Sequence, residues 1–307
     1  MFTFPTVFEF VNSGKAIFAY GYTTVMLNSS CIVSNTGVFG SDNTGVGTAR
    51  WKIAASTYGI DKCILGYGTT AFNGSTVVSM TNLVNNRGDV AADTTGVGTA
   101  RFNFAAASYG EDKALFAYGV TVSGSTATNV SNKVSNTGVV ASDTTGVGDL
   151  KHDHGAACYG VDKAIFGFGQ IVPAGTMISI TNKVSNTGVV AVNTTGVGTG
   201  RAGVSGVSFG VGRALFACGS NGNWGLYNTQ NNVSNTGVVS ADATYTGNTV
   251  YEGASSSYAQ DKGILAFGSL SNWAPSQTSS LVSNSGVIAS STTVAGTARI
   301  APGGASF

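Results

Sequence analysis

The chain has little charge, few prolines, two histidines and no long apolar run, and each shortage narrows what it can be. Charged residues are 9% of the 307, and the formal net charge is +1. No basic stretch occurs, so a duplex-binding surface, which needs many lysines and arginines, is excluded. Hydrophobic residues make up 42%, too many for a disordered chain. Even so, no apolar run approaches the ~18 residues of a membrane span, so bilayer insertion is not expected. The opening MFTFPTVFEFVNSGKAIF lacks a basic start and carries Glu9 inside its apolar run, which argues against a secretory signal. Cys31, Cys63, Cys158 and Cys218 show no CxxC spacing and read as buried free thiols. Strong helix formers such as Glu, Lys and Gln are sparse.

What is abundant is glycine, with 44 residues, together with Ser, Thr, Asn and Val. Val, Thr, Phe and Tyr favour pleated strands, and Gly and Asn supply tight turns. The chain also repeats itself. The run KAIFAYG at Lys15 returns as KCILGYG at Lys62, KALFAYG at Lys113, KAIFGFG at Lys163, RALFACG at Arg213 and KGILAFG at Lys262. A second mark is the Arg of GTAR, at Arg50, Arg101, Arg201 and Arg299, with Lys151 and Val250 at the two remaining places. Successive marks lie 51, 50, 50, 49 and 49 residues apart. A fixed period of this length signals a stacked or radial array.

One unit divides into short strands. The first is a small-residue run, such as Ala105 to Tyr109, followed by the turn Gly110-Glu111-Asp112-Lys113. The second is Ala114 to Tyr118, then a variable loop. The third is Thr128 to Val134, followed by Ser135-Asn136-Thr137-Gly138, where Gly accepts a positive φ. The fourth is Val139 to Ser142, and a linker from Asp143 to Gly148 leads onward. The second strand is apolar on both faces, as in Ile17 and Ala19 against Phe18 and Tyr20, which suits a sheet held between two neighbours. Four strands per unit is the arithmetic of a propeller blade. Residues 1–307 are therefore expected to form one all-β domain, a six-bladed β-propeller of four-stranded antiparallel blades. Closure comes from pairing a terminal strand with the second strand of the first blade, which removes exposed edges. Both Phe8 to Val11 and Gly303 to Ala305 fit that place, and the latter matches the other copies better.

The pattern GTARxxxAAAxYGxDKAIFGYG resembles the kelch repeat, with Arg101, Ala105 to Ala107, Leu115, Phe116 and Gly119 at matching places. It departs from kelch in lacking the Gly-Gly doublet and the outer-strand Trp. The wording SNTGVVA-DTTGVGTAR is also similar to Gly-rich repeat proteins of tailed bacteriophages. That resemblance implies a virion protein of a tail or fibre, with other virion proteins as partners, assembled in the host cytoplasm and extracellular as part of a particle.

No catalytic constellation stands out, and no enzyme activity, cofactor or metal is assigned. GVGTGR at Gly196 leads into a strand rather than a helix, so it is a crossing linker and not a phosphate loop. In a strand, His152 and His154 of Lys151-His152-Asp153-His154 point to one face, but no third metal ligand is evident. Asp42, Asp93, Asp143 and Asp242, with Asn193, read as side-chain caps on the turns that follow them. The pairs Asp61-Lys62, Asp112-Lys113, Asp162-Lys163 and Asp261-Lys262 read as solvated turn charges.

The copies differ most in the loops between second and third strands: TTAFNGSTVV at Thr69, TVSGSTATN at Thr121, QIVPAGTMIS at Gln170, SNGNWGLYNTQ at Ser220 and SLSNWAPSQTSS at Ser269. Variable loops on a rigid scaffold carry recognition. The candidate partner-binding residues are therefore Phe72, Asn73, Gln170, Trp224, Tyr227 and Trp273. Aromatics beside Asn and Gln anchor a protein contact or stack on a sugar. Two functions follow as expectations: a non-catalytic virion protein making protein–protein contacts, or a lectin or receptor-binding module for a host surface glycan.

Overall fold

Each run led by a basic residue becomes a strand buried on both faces, because its apolar residues occupy odd and even positions alike. The computed structural model describes residues 13–122, 126–223 and 225–307, with no helix among them. The first sheet holds β1 (Ala16–Tyr22) and β2 (Met26–Val33). The second is β3 (Ala54–Tyr58), β4 (Lys62–Thr69) and β5 (Val77–Val84). In the third unit come β6 (Ala105–Tyr109), β7 (Lys113–Ala117), a ribbon of β8 (Val120–Val122) and β9 (Thr126–Ala127), and β10 (Ser131–Val134). The fourth unit has β11 (Lys151–His152), β12 (Gly155–Tyr159), β13 (Lys163–Gly167), β14 (Gln170–Ile171) and β15 (Thr181–Val184); there β11 pairs with β14. The fifth sheet is β16 (Ser205–Phe209), β17 (Arg213–Ala217), β18 (Thr229–Val233) and β19 (Ala243–Thr244). The sixth is β20 (Ala254–Tyr258), β21 (Lys262–Ala266), β22 (Thr278–Val282) and β23 (Thr292–Thr293). Finally β24 (Gly303–Ser306) pairs antiparallel with β1, in the register Ala16↔Ser306 to Ala19↔Gly303. The expected second candidate for that place, Phe8 to Val11, lies outside the described residues.

The apolar clusters join successive sheets. Ile64 and Tyr67 of the second pack with Phe104 and Phe116 of the third unit. Val207 and Leu215 of the fifth pack with Leu265 and Val282 of the sixth. Phe18 and Val33 of the first pack with Ile264 and Phe267 of the sixth. The small-residue strands also meet in series: β3 contacts β6, β6 contacts β12, β12 contacts β16, β16 contacts β20, and β24 contacts both β20 and β3. Their approach explains their composition. A Cβ added to Gly206 would lie 2.5 Å from the Ala156 carbonyl oxygen. Hydroxyls and a thiol stitch the same strands together. Thr57 donates to the Ser306 carbonyl (2.7 Å), Ser108 to that of Thr57 (2.8 Å), Cys158 to that of Ser108 (3.2 Å) and Ser208 to that of Cys158 (3.1 Å).

The fourth strand departs from expectation. In the third unit Val139 to Ser142 forms no ladder, only bridges from Val134 to Val140 and from Ser131 to Thr144. The fourth strands that do form, β19 and β23, are two residues each. There Asn132 Nδ2 donates to the Ala141 carbonyl (3.0 Å), so that carbonyl takes a side-chain donor, while the Ala141 N–H still reaches the Lys133 carbonyl (2.8 Å). Asn82, Asn182 and Asn231 do the same to Ala91, Ala191 and Ser240. The third strand of that unit is also shorter than Thr128 to Val134, beginning at Ser131.

Candidate functional site

The linkers place the site, and buried cations fix the linkers. Arg50 is fully buried. It donates to Asn82 Oδ1 (2.6 Å), the Tyr67 carbonyl (2.8 Å) and the Thr48 carbonyl (3.1 Å), and its Nη1 lies 3.6 Å from Asp93. Asp93 accepts from Asn82 Nδ2 (2.9 Å) and from both the backbone nitrogen (2.9 Å) and hydroxyl (2.6 Å) of Thr48. The recurring Asp is therefore no cap on its own turn, as the sequence suggested. It caps a linker 45 residues earlier, one that runs along β2 of the preceding sheet through the Asn43–Ser30 bridge and the Val46 and Arg50 N–H bonds to the Asn28 and Leu27 carbonyls. Arg101, Asn132 and Asp143 repeat the arrangement, as do Arg201, Asn231 and Asp242. In the fourth unit both charged partners change together: Lys151 donates to Asn182 (2.7 Å), and Asn182 to Asn193 (2.9 Å). In the sixth the places hold Val250, Ser280 and Ser291, and Tyr245 fills the space, its hydroxyl 3.3 Å from Ser280 Oγ.

Two residues after each of these positions the backbone turns left-handed, at Lys52 (φ 54°), Asn103 (52°), Asp153 (52°), Gly203 (65°), Glu252 (52°) and Ala301 (47°). Backbone hydrogen bonds join them in succession: Ala301 N–H to Glu252, Glu252 to Gly203, Gly203 to Asp153, Asp153 to Asn103, and Lys52 to Ala301. All six line one cavity of about 80 Å³. Left-handed conformations cost ~1–3 kcal/mol each for residues other than glycine, and such strain collects at functional sites.

The residue type differs at all six places, and the charges converge. Lys52 Nζ lies 2.8 Å from Glu252 Oε1. Asp153 Oδ2 accepts from the Tyr251 hydroxyl (2.9 Å) and lies 2.9 Å from His152 Nδ1. The left-handed Asp153 breaks the strand expected through Lys151-His152-Asp153-His154, so the two histidines part. His152 faces Asp153, whereas His154 is buried with no hydrogen-bond partner on either ring nitrogen. The His154 ring packs against Tyr118 and Phe166, with centroids 5.2 and 5.8 Å away.

Burial sets the protonation states. It raises Glu252 above the ordinary carboxyl range, with Lys52 opposing and Asp153 adding to the rise. Burial pushes Asp153 the same way, but His152, Lys52 and the Tyr251 hydroxyl outweigh it and hold that carboxyl low. His154 is held well below the ordinary imidazole value by burial, and the nearby Lys151 adds to this. Lys151 itself is pushed down to about 7 by burial, with Asp149 opposing.

The candidate loop residues sit on the side where the linkers enter. Phe72 is 60% exposed and stacks on Trp51, with centroids 5.6 Å apart and planes 1° apart; Tyr22 packs against both rings. Lys52 Nζ lies 4.7 Å from the Trp51 ring centre, which joins this aromatic group to the charged cavity. Asn73 is exposed, its Oδ1 accepting from the Ser75 nitrogen (3.1 Å). Gln170 pairs in register with His152 and donates to the Gly175 carbonyl (2.9 Å). Tyr227 is half-buried, and Trp273 is 39% exposed. Trp224 lies outside the described residues. Phe72, Gln170 and Tyr227 share no hydrogen bond or ring contact with one another. The sequence reading passed over Lys52, Tyr251 and Glu252, and met Asp153 only as part of the stretch holding the two histidines. Their signal was variation in type at a fixed distance from a constant mark.

Among the described residues no group of three or more His, Cys, Asp or Glu side chains is placed to hold a metal ion, and no helix is long and apolar enough to cross a membrane. No family model matches the chain, and no curated protein matches it in sequence.

Proposed function

We propose that the chain is a six-bladed β-propeller of kelch-like units that acts without catalysis as a structural part of a bacteriophage particle, at a tail or fibre. In this reading the interlocked junctions make a rigid body, and the side bearing the second-to-third-strand loops contacts other virion proteins. The observation that carries it is a contrast. The Arg–Asn–Asp arrangement recurs at Arg50, Arg101 and Arg201, with Lys151 and Tyr245 as substitutes elsewhere, whereas the loops and the six left-handed positions beside them differ from unit to unit. Conserved junction chemistry maintains a scaffold, and variation gathered on one side is what a surface shaped for a particular neighbour requires. Imaging of particles made with and without the protein tests the role. Loss of an appendage supports it, and complete, fully infectious particles overturn it.

A second reading is a module that binds a host surface glycan. It is favoured by Phe72, whose exposed ring is held flat by Trp51 beside the polar Asn73. A glycan array compares the native chain with Phe72→Ala. Hits lost in the variant support this reading, and an array without hits dismisses it.

A further inference from the structure

We propose that the cavity between Lys52, Asp153 and Glu252 binds the terminal ammonium group of a linear aliphatic amine. The site stands on the geometry of the cavity and does not rest on a role in a particle. Three observations converge. The first is charge: Lys52 is the one lysine facing two buried carboxyls, Glu252 and Asp153, so with both ionised the carboxylates outnumber it. Buried charge is tolerated when it is paired. The second is unmet hydrogen bonding. Glu252 Oε2 and both ring nitrogens of His154 are buried without a hydrogen-bond partner. In either neutral tautomer one of those nitrogens is an acceptor, and an ammonium supplies three donors and no acceptor. The third is shape. The cavity of about 80 Å³ adjoins a passage of about 130 Å³, and His154, Ile53 and Phe104 line both. The passage is walled by short side chains such as Ala54, Ala105 and Ala254, which leaves room for a methylene chain. The lack of a metal-holding group among the described residues favours an organic cation over a metal ion.

The test is calorimetric titration of the full chain at pH 8 with n-butylamine, 1,4-diaminobutane and, as the uncharged match, n-butanol. The amines are expected to bind saturably and to raise the melting temperature, with no effect from butanol. Glu252→Gln removes a charge that holds the ammonium and is expected to weaken binding at least tenfold. Lys52→Met removes the competing cation and is expected to tighten binding severalfold. Opposite responses from two variants of one ion pair separate a binding role from a folding defect, and if one variant fails to fold the other decides. Absent amine binding, equal binding of butanol, or unchanged affinity in a folded variant overturns the proposal. An N-acetyl-lysine methylamide probe that binds more tightly than diaminobutane places the ammonium on a partner's lysine side chain instead of on a free amine.

Discussion

Arg50 lies over the ring of Tyr20 in the preceding sheet, its guanidinium carbon 4.3 Å from the ring centre. The same cation-on-ring contact joins Arg101 to Tyr67, Lys151 to Tyr118, Arg201 to Phe168 and Arg299 to Phe267, at 4.2–5.3 Å. Each ring residue is left-handed and precedes a glycine at φ near 105°. At Gly68 a Cβ would meet the Trp51 carbonyl at 2.6 Å, which is why glycine ends the run. Desolvated cation–ring contacts contribute ~2 kcal/mol each, so each of these cations grips two sheets at once.

The joint change at Lys151 and Asn193 makes a double-mutant cycle informative. Lys151→Arg alone buries a guanidinium without its carboxylate and should lower stability. Lys151→Arg with Asn193→Asp restores the arrangement seen at Arg101 and Asp143, with a favourable coupling of ~1–3 kcal/mol. Urea melts of the two single variants and the double variant check this, and additivity would contradict it.

Lys151 also predicts a pH dependence. Its folded pKa is about 7, below the ordinary lysine value of 10.5. Between these values the unfolded chain holds the proton and the folded chain does not, so stability should rise with pH from about 7, by up to ~1.4 kcal/mol per unit. The titratable groups near it are Asp149, Tyr118 and His154. Glu252, raised toward neutrality, acts in the opposite sense, but only below that window. Denaturant melts from pH 7 to 9 should show the rise in the native chain and lose it in Lys151→Met.

Tyr245 occupies space that an arginine fills elsewhere. Tyr245→Phe removes one hydrogen bond to Ser280 and should cost ~1 kcal/mol. Tyr245→Ala opens a cavity and should cost ~3–5 kcal/mol. Thermal melts of both variants should rank them in that order.

Gly206→Val should prevent folding, because its Cβ has only the Ala156 backbone to meet. Ala106→Gly, at the matching place in β6, should lose only about 1 kcal/mol. Soluble yield and circular dichroism distinguish the two outcomes.

Phe72→Ala should leave the melting temperature within about 2 °C of the native value, since the ring is largely exposed. It should also lower affinity for whatever partner the loop side engages. A pull-down from particle components, run beside the glycan array, measures that loss.

The strand order was legible because KAIFAYG and its copies carry apolar residues on both faces, and because small residues mark the strands that crowd one another. The fourth strand was overread. Val139 to Ser142 has strand composition, but its pairing with the third strand is limited to the Val134–Val140 bridge and single backbone bonds, and Asn132 takes the Ala141 carbonyl. The cavity was missed for a related reason. Lys52, Asp153 and Glu252 lie about 100 residues apart in sequence, and only the left-handed turn after each linker brings them together. The aspartates were assigned the right kind of task, capping, on the wrong segment, because the linker they hold belongs to a neighbouring unit in the chain.

Cys218, Val250 and Tyr245 make the fifth-to-sixth junction differ in kind from its fellows: hydrocarbon and a phenol stand where the others set a cation on a ring. Apolar adhesion weakens on cooling, while the cost of stripping water from charge falls on heating. This junction thus loosens in the cold, while those carrying Arg50, Arg101, Lys151, Arg201 and Arg299 are comparatively stronger in the heat, so the place where the chain first parts depends on the temperature at which it is strained.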